Sequence, residues 1–354
     1  MALQKIAVLG LGRVGTLAAR LLHQGGFDVT GFDSRSPQAT QPFATRATDL
    51  GGDASARAAT EGFDAVLSCL PYHINKRIAA AAHERGMHYF DLTEDVPTTE
   101  AIRKLSATSR GLMAPQCGLA PGFVGIVGAA QVEAFDVCRS LRLRVGALPQ
   151  HPTGLMGYAF NWSPEGVVNE YLNDCEVIED GVRKTVSSME WIETLYVEGV
   201  KLEAFTTSGG LGTICETFHG KVANIDYKTM RYPGHMRLMN FFFHELLMRE
   251  RRELAGEILT NAKPPVNDDI VYVHVSAEGT RDSRLQRREF VRAYRPIELA
   301  GGVQTAIAWT TSASAVAIIE MVKNGSLPQR GFLKQEEVPL DKFLATATGR
   351  LFGN

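Results

Sequence analysis

The chain of 354 residues is poor in cysteine, has no long apolar run and carries no excess of either charge. Each lack narrows what it can be. The five cysteines stand apart at 69, 117, 138, 175 and 215. An odd count without CxxC spacing argues against a disulfide framework and against a structural zinc site, and a reducing cytoplasm suits such thiols. No HExxH pattern occurs, so no catalytic metal is expected. No apolar stretch reaches the ~20 residues of a membrane span. The softest, 313–322, is interrupted by Glu320 and reads as a buried helix. The N-terminus runs from Met1-Ala2-Leu3-Gln4-Lys5 into an apolar strand, without the pattern of a signal peptide. Lys and Arg number 37 against 39 Asp and Glu, and acids interrupt the densest basic stretch, 281–295. Neither nucleic acid nor a membrane surface is therefore an expected partner.

What is there has a clear rhythm. Ile6 to Leu9 form a short apolar strand that ends in Gly10-Leu11-Gly12-Arg13-Val14-Gly15. Helix-type sequence follows to Gln24, Gly25-Gly26 stops it, and a second strand runs from Val29 to Asp33. Strand, glycine turn, helix, strand and acid form the dinucleotide fingerprint in its required context. Gly10 permits the tight turn, Gly12 keeps the backbone open to a pyrophosphate, and Gly15 lets helix and strand pack. Asp33 suits ribose hydroxyls and would repel a 2′-phosphate, so NAD is the expected cofactor, although Arg35 could accommodate that phosphate. The expected cofactor residues are Gly10, Gly12, Arg13, Val14, Gly15, Asp33, Ser34 and Arg35, with Cys69-Leu70-Pro71 at a later strand end.

Strands over 65–69, 88–91 and 111–115 alternate with helices over 74–85 and 100–109, which predicts a doubly wound parallel sheet of Rossmann type. Ligands of such sheets sit beyond the carboxyl ends of the strands. Tyr72, His73, Asp91, Thr93 and Cys117 stand at those ends. After a helix over 123–135 the rhythm changes. Leu141, Leu143 and Val145 alternate with Arg142 and Arg144 in a half-exposed strand. Strands over 176–178, 197–205, 220–227 and 269–277, a hairpin at Asp180-Gly181, and helices over 165–172 and 236–250 predict an α+β substrate domain with a mixed or antiparallel sheet. A helix over 313–323, stopped by Asn324-Gly325, is expected to return to the first domain. The expected division is 1–122 with 306–354 for the nucleotide, and 123–305 for substrate and dimerisation.

Several segments carry a resemblance. They are Leu70-Pro71-Tyr72, 88–93, Cys117-Gly118-Leu119-Ala120-Pro121-Gly122, Val145-Gly146-Ala147-Leu148-Pro149, Trp162-Ser163-Pro164-Glu165-Gly166, Glu170-Tyr171, Leu202-Glu203-Ala204-Phe205 and, above all, Lys228-Thr229-Met230-Arg231-Tyr232-Pro233-Gly234-His235. In these the chain resembles the saccharopine dehydrogenase family, and its compact length resembles that family's lysine 6-dehydrogenase branch. The resemblance implies a homodimer and NAD-dependent oxidation of the ε-amine of L-lysine. The product would be allysine, cyclising to a piperideine carboxylate, with ammonia released.

Such chemistry needs a neutral amine, a proton-handling group and an anchor for the carboxylate end. Arg231 is the expected anchor. Asp91, Tyr72 and His235 are the expected proton-handling residues, with His73 a weaker candidate. Cys117, Thr93 and Trp162 are expected to line the substrate pocket, and Phe241-Phe242-Phe243 to be core or interface. Two other readings stay open. One is a saccharopine- or carboxynorspermidine-type dehydrogenase acting on a secondary amine, which a larger pocket with a second anchor for an anionic group, such as Arg142, Arg144 or Arg292, would favour. The other is a non-catalytic NAD-binding sensor.

Overall fold

The computed structural model describes residues 3–36 and 39–353. They fall into two compact units. The first runs to Ile126 and adds Leu299–Gly302 and the chain from Ala308 onward; the second is Val127–Glu298 with Val303–Ile307.

The first unit is built on parallel strands: β1 (Lys5–Leu9), β2 (Asp28–Asp33), β3 (Ala44–Ala47), β4 (Ala65–Ser68), β5 (His88–Asp91) and β6 (Leu112–Ala114). With the strand Gly331–Phe332 they form a seven-stranded sheet in which β6, β5, β4, β1, β2 and β3 lie side by side. All pairings are parallel. Ile6 to Leu9 are wholly buried, as a parallel strand covered on both faces must be. Helices Arg13–Gln24, Tyr72–Arg85 and Val96–Ser106 supply the crossovers. Leu9, Val66, Ile78, Ala82, Tyr89, Ile102 and Met113 pack into one core cluster, each large apolar side chain contributing about 1.5–3 kcal/mol. The strand order reverses between β1 and β4, and their carboxyl ends meet there at Gly10 and Cys69. Such a reversal is where doubly wound sheets bind ligands.

The second unit holds a mixed sheet. Its strands are β7 (Val137–Pro149), β8 (Cys175–Glu179), β9 (Val182–Val186), β10 (Glu193–Val197), β11 (Val200–Thr206), β12 (Asn224–Arg231), β13 (Asp269–Arg281) and β14 (Arg284–Tyr294). The main path is β10-β11-β12-β7-β13-β14, with β8 against β12 and β9. β12 pairs parallel to β7, while β13 pairs antiparallel to both β7 and β14. The β8–β9 hairpin turns at Asp180 and Gly181, both at positive φ, as a two-residue hairpin turn requires. Leu148, Val168, Tyr171, Leu202, Phe205, Met230, Phe243 and Leu259 belong to this unit's core cluster.

Three expectations change. The helix expected over 236–250 is broken into an α-helix His235–Asn240, a π-helical turn Phe241–Glu245 and a 3-10 turn Met248–Glu250. Leu247 sits at φ 56, a left-handed conformation that ends a right-handed helix. Along the phenylalanine run exposure falls from 47% at Phe241 to nothing at Phe243. Tyr72 and His73, expected in a loop, form the first turn of the helix Tyr72–Arg85 behind Pro71. Arg144, expected on a half-exposed face, is 2% exposed. Among the described residues no helix is long and apolar enough to cross a membrane.

Candidate functional site

Each unit holds one candidate site. In the first, the turn after β1 is shaped for a dinucleotide. Gly10 has φ +87, and a Cβ there would lie 2.9 Å from the Cys69 carbonyl oxygen and 3.1 Å from Leu70. A Cβ at Gly15 would lie 1.8 Å from the Gly10 carbonyl oxygen, whereas one at Gly12 would meet nothing within 4 Å. So the helix Arg13–Gln24 is pressed onto the turn at Gly15, and the face at Gly12 is open. That helix starts without a side-chain cap, leaving N–H groups to receive phosphate oxygens. Asp33 holds the turn: the Leu11 N–H donates to its Oδ2 at 2.7 Å and the Arg35 N–H to its Oδ1 at 3.0 Å. Ser34 and Arg35 are exposed beside it. The Ser312 hydroxyl donates to the Val14 carbonyl at 2.8 Å, a second brace that sequence reading missed. An open glycine, an uncapped helix start and a carboxylate on the second strand together fit a dinucleotide.

At the end of β5 the structure revises several roles. Asp91 is wholly buried. Its carboxylate accepts from the Tyr89 hydroxyl at 2.7 Å and from the Thr93 and Gln116 N–H groups, both at 3.0 Å. Burial pushes its pKa up to about 6, against the pull of those three donors. The N-cap of the next helix is Asp95, which accepts from the Thr98 N–H at 2.9 Å. Asp91 thus has the geometry of a clamp joining β5 to the 115–117 loop, where Gln116 is held at φ 65. Thr93 is buried in the same clamp, its hydroxyl accepting from the Asp95 N–H. Cys117 is fully buried, its thiol donating to the Ala114 carbonyl and accepting from Gln335 Nε2. Expected to line a pocket, it is packed inside the unit instead. Of the first-unit residues expected to handle protons, Tyr72 has a partly exposed ring and His73 is exposed.

In the second unit the residues around Arg231 form a buried polar cluster. Arg231 ends β12 and is 2% exposed. Its Nε donates to the Tyr171 hydroxyl at 2.8 Å, and its Nη1 to Thr229 Oγ1 and the Met230 carbonyl at 2.7 and 2.9 Å. The guanidinium lies 4.6 Å from the Tyr158 ring centre and 5.6 Å from that of Tyr171. His235 is wholly buried. Burial and the Arg231 charge push its pKa down to about 3, so the ring is neutral. Its Nδ1 lies 2.9 Å from the Met156 carbonyl, which can only accept, so Nδ1 carries the proton. Nε2 therefore accepts from the Tyr171 hydroxyl at 2.9 Å. A directed chain results: Arg231 donates to Tyr171, Tyr171 to His235, and His235 to the backbone. Expected to move protons, His235 has both ring nitrogens committed to this chain and instead orients the guanidinium. Trp162 is half-buried and packs on the core.

Arg231 is a buried cation with no carboxylate within ion-pairing distance among the described residues. Glu170 acts on it only through its field. Holding an unpaired charge out of water costs several kcal/mol, so a site of this kind suits an anionic ligand group.

Comparison with known proteins agrees with this architecture. A family model described as the saccharopine dehydrogenase C-terminal domain matches residues 118–351, and one described as the saccharopine dehydrogenase NADP binding domain matches 6–114. The chain belongs to the saccharopine dehydrogenase family. The mouse mitochondrial alpha-aminoadipic semialdehyde synthase is 23% identical over 68% of this chain and 28% of its own length. The Schizosaccharomyces pombe saccharopine dehydrogenase [NADP(+), L-glutamate-forming] is 22% identical over 42% of this chain and 34% of its own. The match thus spans about a third or less of either curated relative. The structure of saccharopine dehydrogenase (L-Glu forming) from Saccharomyces cerevisiae superposes with a TM-score of 0.76 at 15% identity, covering 96% of both chains, which shows a shared fold.

Within this saccharopine dehydrogenase family member the other arginines named from sequence are placed differently. Arg144 pairs with Glu193 and Asp226, and Lys228 with Glu193 at 3.2 Å. Arg142 and Arg292 are exposed. Tyr171, Tyr158 and Gln335 were missed as site residues. Tyr171 lies 60 positions from Arg231 and 64 from His235, and nothing local in the sequence marks that meeting. A cavity of about 410 Å³ lined by Asp64, Arg85, His88 and Arg110 lies at the amino ends of β4 and β5, away from the glycine turn.

Proposed function

We propose that this protein is a nicotinamide-dependent dehydrogenase of amino acids, and that it oxidises the ε-amine of L-lysine with NAD. The observation that carries the amino-acid reading is Arg231, a buried guanidinium with no carboxylate of its own, locked by Tyr171 and His235. An anionic ligand group complements it, and a guanidinium edge grips a carboxylate. The dinucleotide turn of the first unit, with Gly10, Gly12, Gly15 and Asp33, would hold the cofactor, which would supply a hydride acceptor for the carbon bearing the amine. The resulting imine takes up water and releases ammonia. Tyr72, partly exposed beyond the end of β4, is assigned the proton traffic that Asp91 and His235 are too enclosed to carry. Asp33 supports NAD, since a carboxylate there repels a 2′-phosphate.

A second reading has a specific observation behind it: the Schizosaccharomyces pombe relative is named as an NADP(+)-dependent saccharopine dehydrogenase, and the Saccharomyces cerevisiae structure is that of a saccharopine dehydrogenase. Saccharopine carries further carboxylates, and Arg144, a candidate to grip one, is already paired with Glu193 and Asp226. That favours the smaller substrate. The test is the initial rate of reduced-nucleotide formation with L-lysine, ornithine and saccharopine, each with NAD+ and NADP+. Turnover of lysine with NAD+ and release of one ammonia per hydride is the expected result. Turnover of saccharopine alone moves the protein to the second reading, and nucleotide binding without turnover of any amine makes it a sensor.

A further inference from the structure

Tyr158 lies under the Arg231 guanidinium, but its hydroxyl takes part in nothing described so far. It is 2% exposed, and its hydroxyl is a buried polar atom without a hydrogen-bond partner. The Trp162 indole N–H can only donate toward that oxygen, so the hydroxyl proton itself has no acceptor. The ring is held by an edge contact to Phe160 at 4.9 Å and another to His235 at 5.2 Å, and the Arg231 guanidinium lies over it at 4.6 Å. On the guanidinium, Nε and Nη1 are occupied while Nη2 makes no hydrogen bond among the described residues. So one small region holds an unfilled donor on a cation and an unfilled hydroxyl donor on a rigid ring. Buried polar atoms are nearly always satisfied in folded proteins, and an unsatisfied one calls for an explanation.

We infer that the Tyr158 hydroxyl and Arg231 Nη2 form a two-point receptor for the carboxylate of the amino-acid substrate, one carboxylate oxygen on each donor. This rests on the proposed function and adds Tyr158 as a substrate-binding residue. A phenol supplies only one hydrogen bond, so Tyr158 sharpens the grip that the Arg231 charge provides. It discriminates against amines that lack the carboxylate, because these leave both buried donors unfilled.

The test compares wild type, Tyr158→Phe and Arg231→Lys in the full chain with NAD+ present. Binding of L-lysine, of saccharopine and of cadaverine, the descarboxy analogue of lysine, is measured by calorimetry, with Tm alongside. Tyr158→Phe removes a hydroxyl that has no partner in the free protein, so its Tm is expected to match or exceed that of wild type. Its affinity for the carboxylate ligand is expected to fall about tenfold, with cadaverine binding unchanged. A structural tyrosine would give the opposite pattern, a lowered Tm with affinity intact, and that result overturns the inference. Weakened binding in Arg231→Lys but wild-type binding in Tyr158→Phe rejects Tyr158 and keeps the anchor. Wild-type binding of both carboxylate ligands in Arg231→Lys, or their failure to bind the wild type, removes the anchor reading itself and the inference with it.

Discussion

At the scale of single residues, the clearest prediction concerns Asp91. Its folded pKa is raised to about 6 from 3.8 by burial. The fold therefore favours the protonated form. The stability this contributes is present below the unfolded pKa and is lost as pH rises through about 6, an effect of about 3 kcal/mol. Asp91→Asn keeps an acceptor for the Thr93 and Gln116 N–H groups but cannot ionise. Urea midpoints at pH 4.5 and 7.5 should fall more with rising pH in wild type than in the variant. Parallel trends in the two proteins would show that Asp91 is not the titrating group. Sequence placed Asp91 at the end of a strand, and it stands there; the strand expected over 220–227 instead runs on to Arg231. Their partners were not legible, because a side chain's surroundings come from distant segments. Asp91 meets Gln116 and Arg231 meets Tyr171 only once the strands are paired. That is why two polar residues that read as proton carriers, Asp91 and His235, turned out enclosed.

At the scale of elements, the glycine turn was legible because its logic is local: strand, turn and helix follow one another within some twenty residues. The structure separates its glycines by task, and substitution should do the same. Gly12→Ala places a Cβ in open space, so the variant should keep its Tm within a degree or two while losing nucleotide affinity by about tenfold or more. Gly15→Ala drives a Cβ to 1.8 Å from the Gly10 carbonyl oxygen, so it should unfold at markedly lower temperature, by about 1–3 kcal/mol of overpacking or more. Equal Tm losses in both variants would refute this division of labour; thermal melts and a fluorescence titration with NADH decide it. Other elements were harder to read. β14 was missed as a strand because residues 284–289 are all exposed and mostly charged. Charged side chains are what an edge strand carries to avoid pairing with other chains, and they erase the apolar alternation by which strands are recognised. The helix over 236–250 was overextended because its apolar spacing continues past Leu247, whose left-handed backbone only the structure reveals.

At the scale of the whole molecule, the two ligands are assigned to separate units. Among the described residues, the ties that shape the dinucleotide turn, from Asp33 and from Ser312, close within the first unit. Every tie on Arg231, through Tyr171, Thr229 and the Met230 carbonyl, closes within the second. Among the described residues these two sets of ties share no hydrogen bond, and substitutions without shared partners act nearly independently. Arg231→Lys keeps the positive charge but loses the planar fork and its bond to Tyr171. It is expected to raise KM for the amino acid about tenfold or more, while the Kd for NADH stays within about twofold of wild type. Gly12→Ala is expected to do the reverse, and in the double variant the two losses in kcat/KM should multiply. Steady-state kinetics together with NADH titrations of the four proteins read this directly. If Arg231→Lys weakened NADH as strongly as Gly12→Ala does, Arg231 would belong to nucleotide binding, and the carboxylate anchor would have to be sought elsewhere in the second unit.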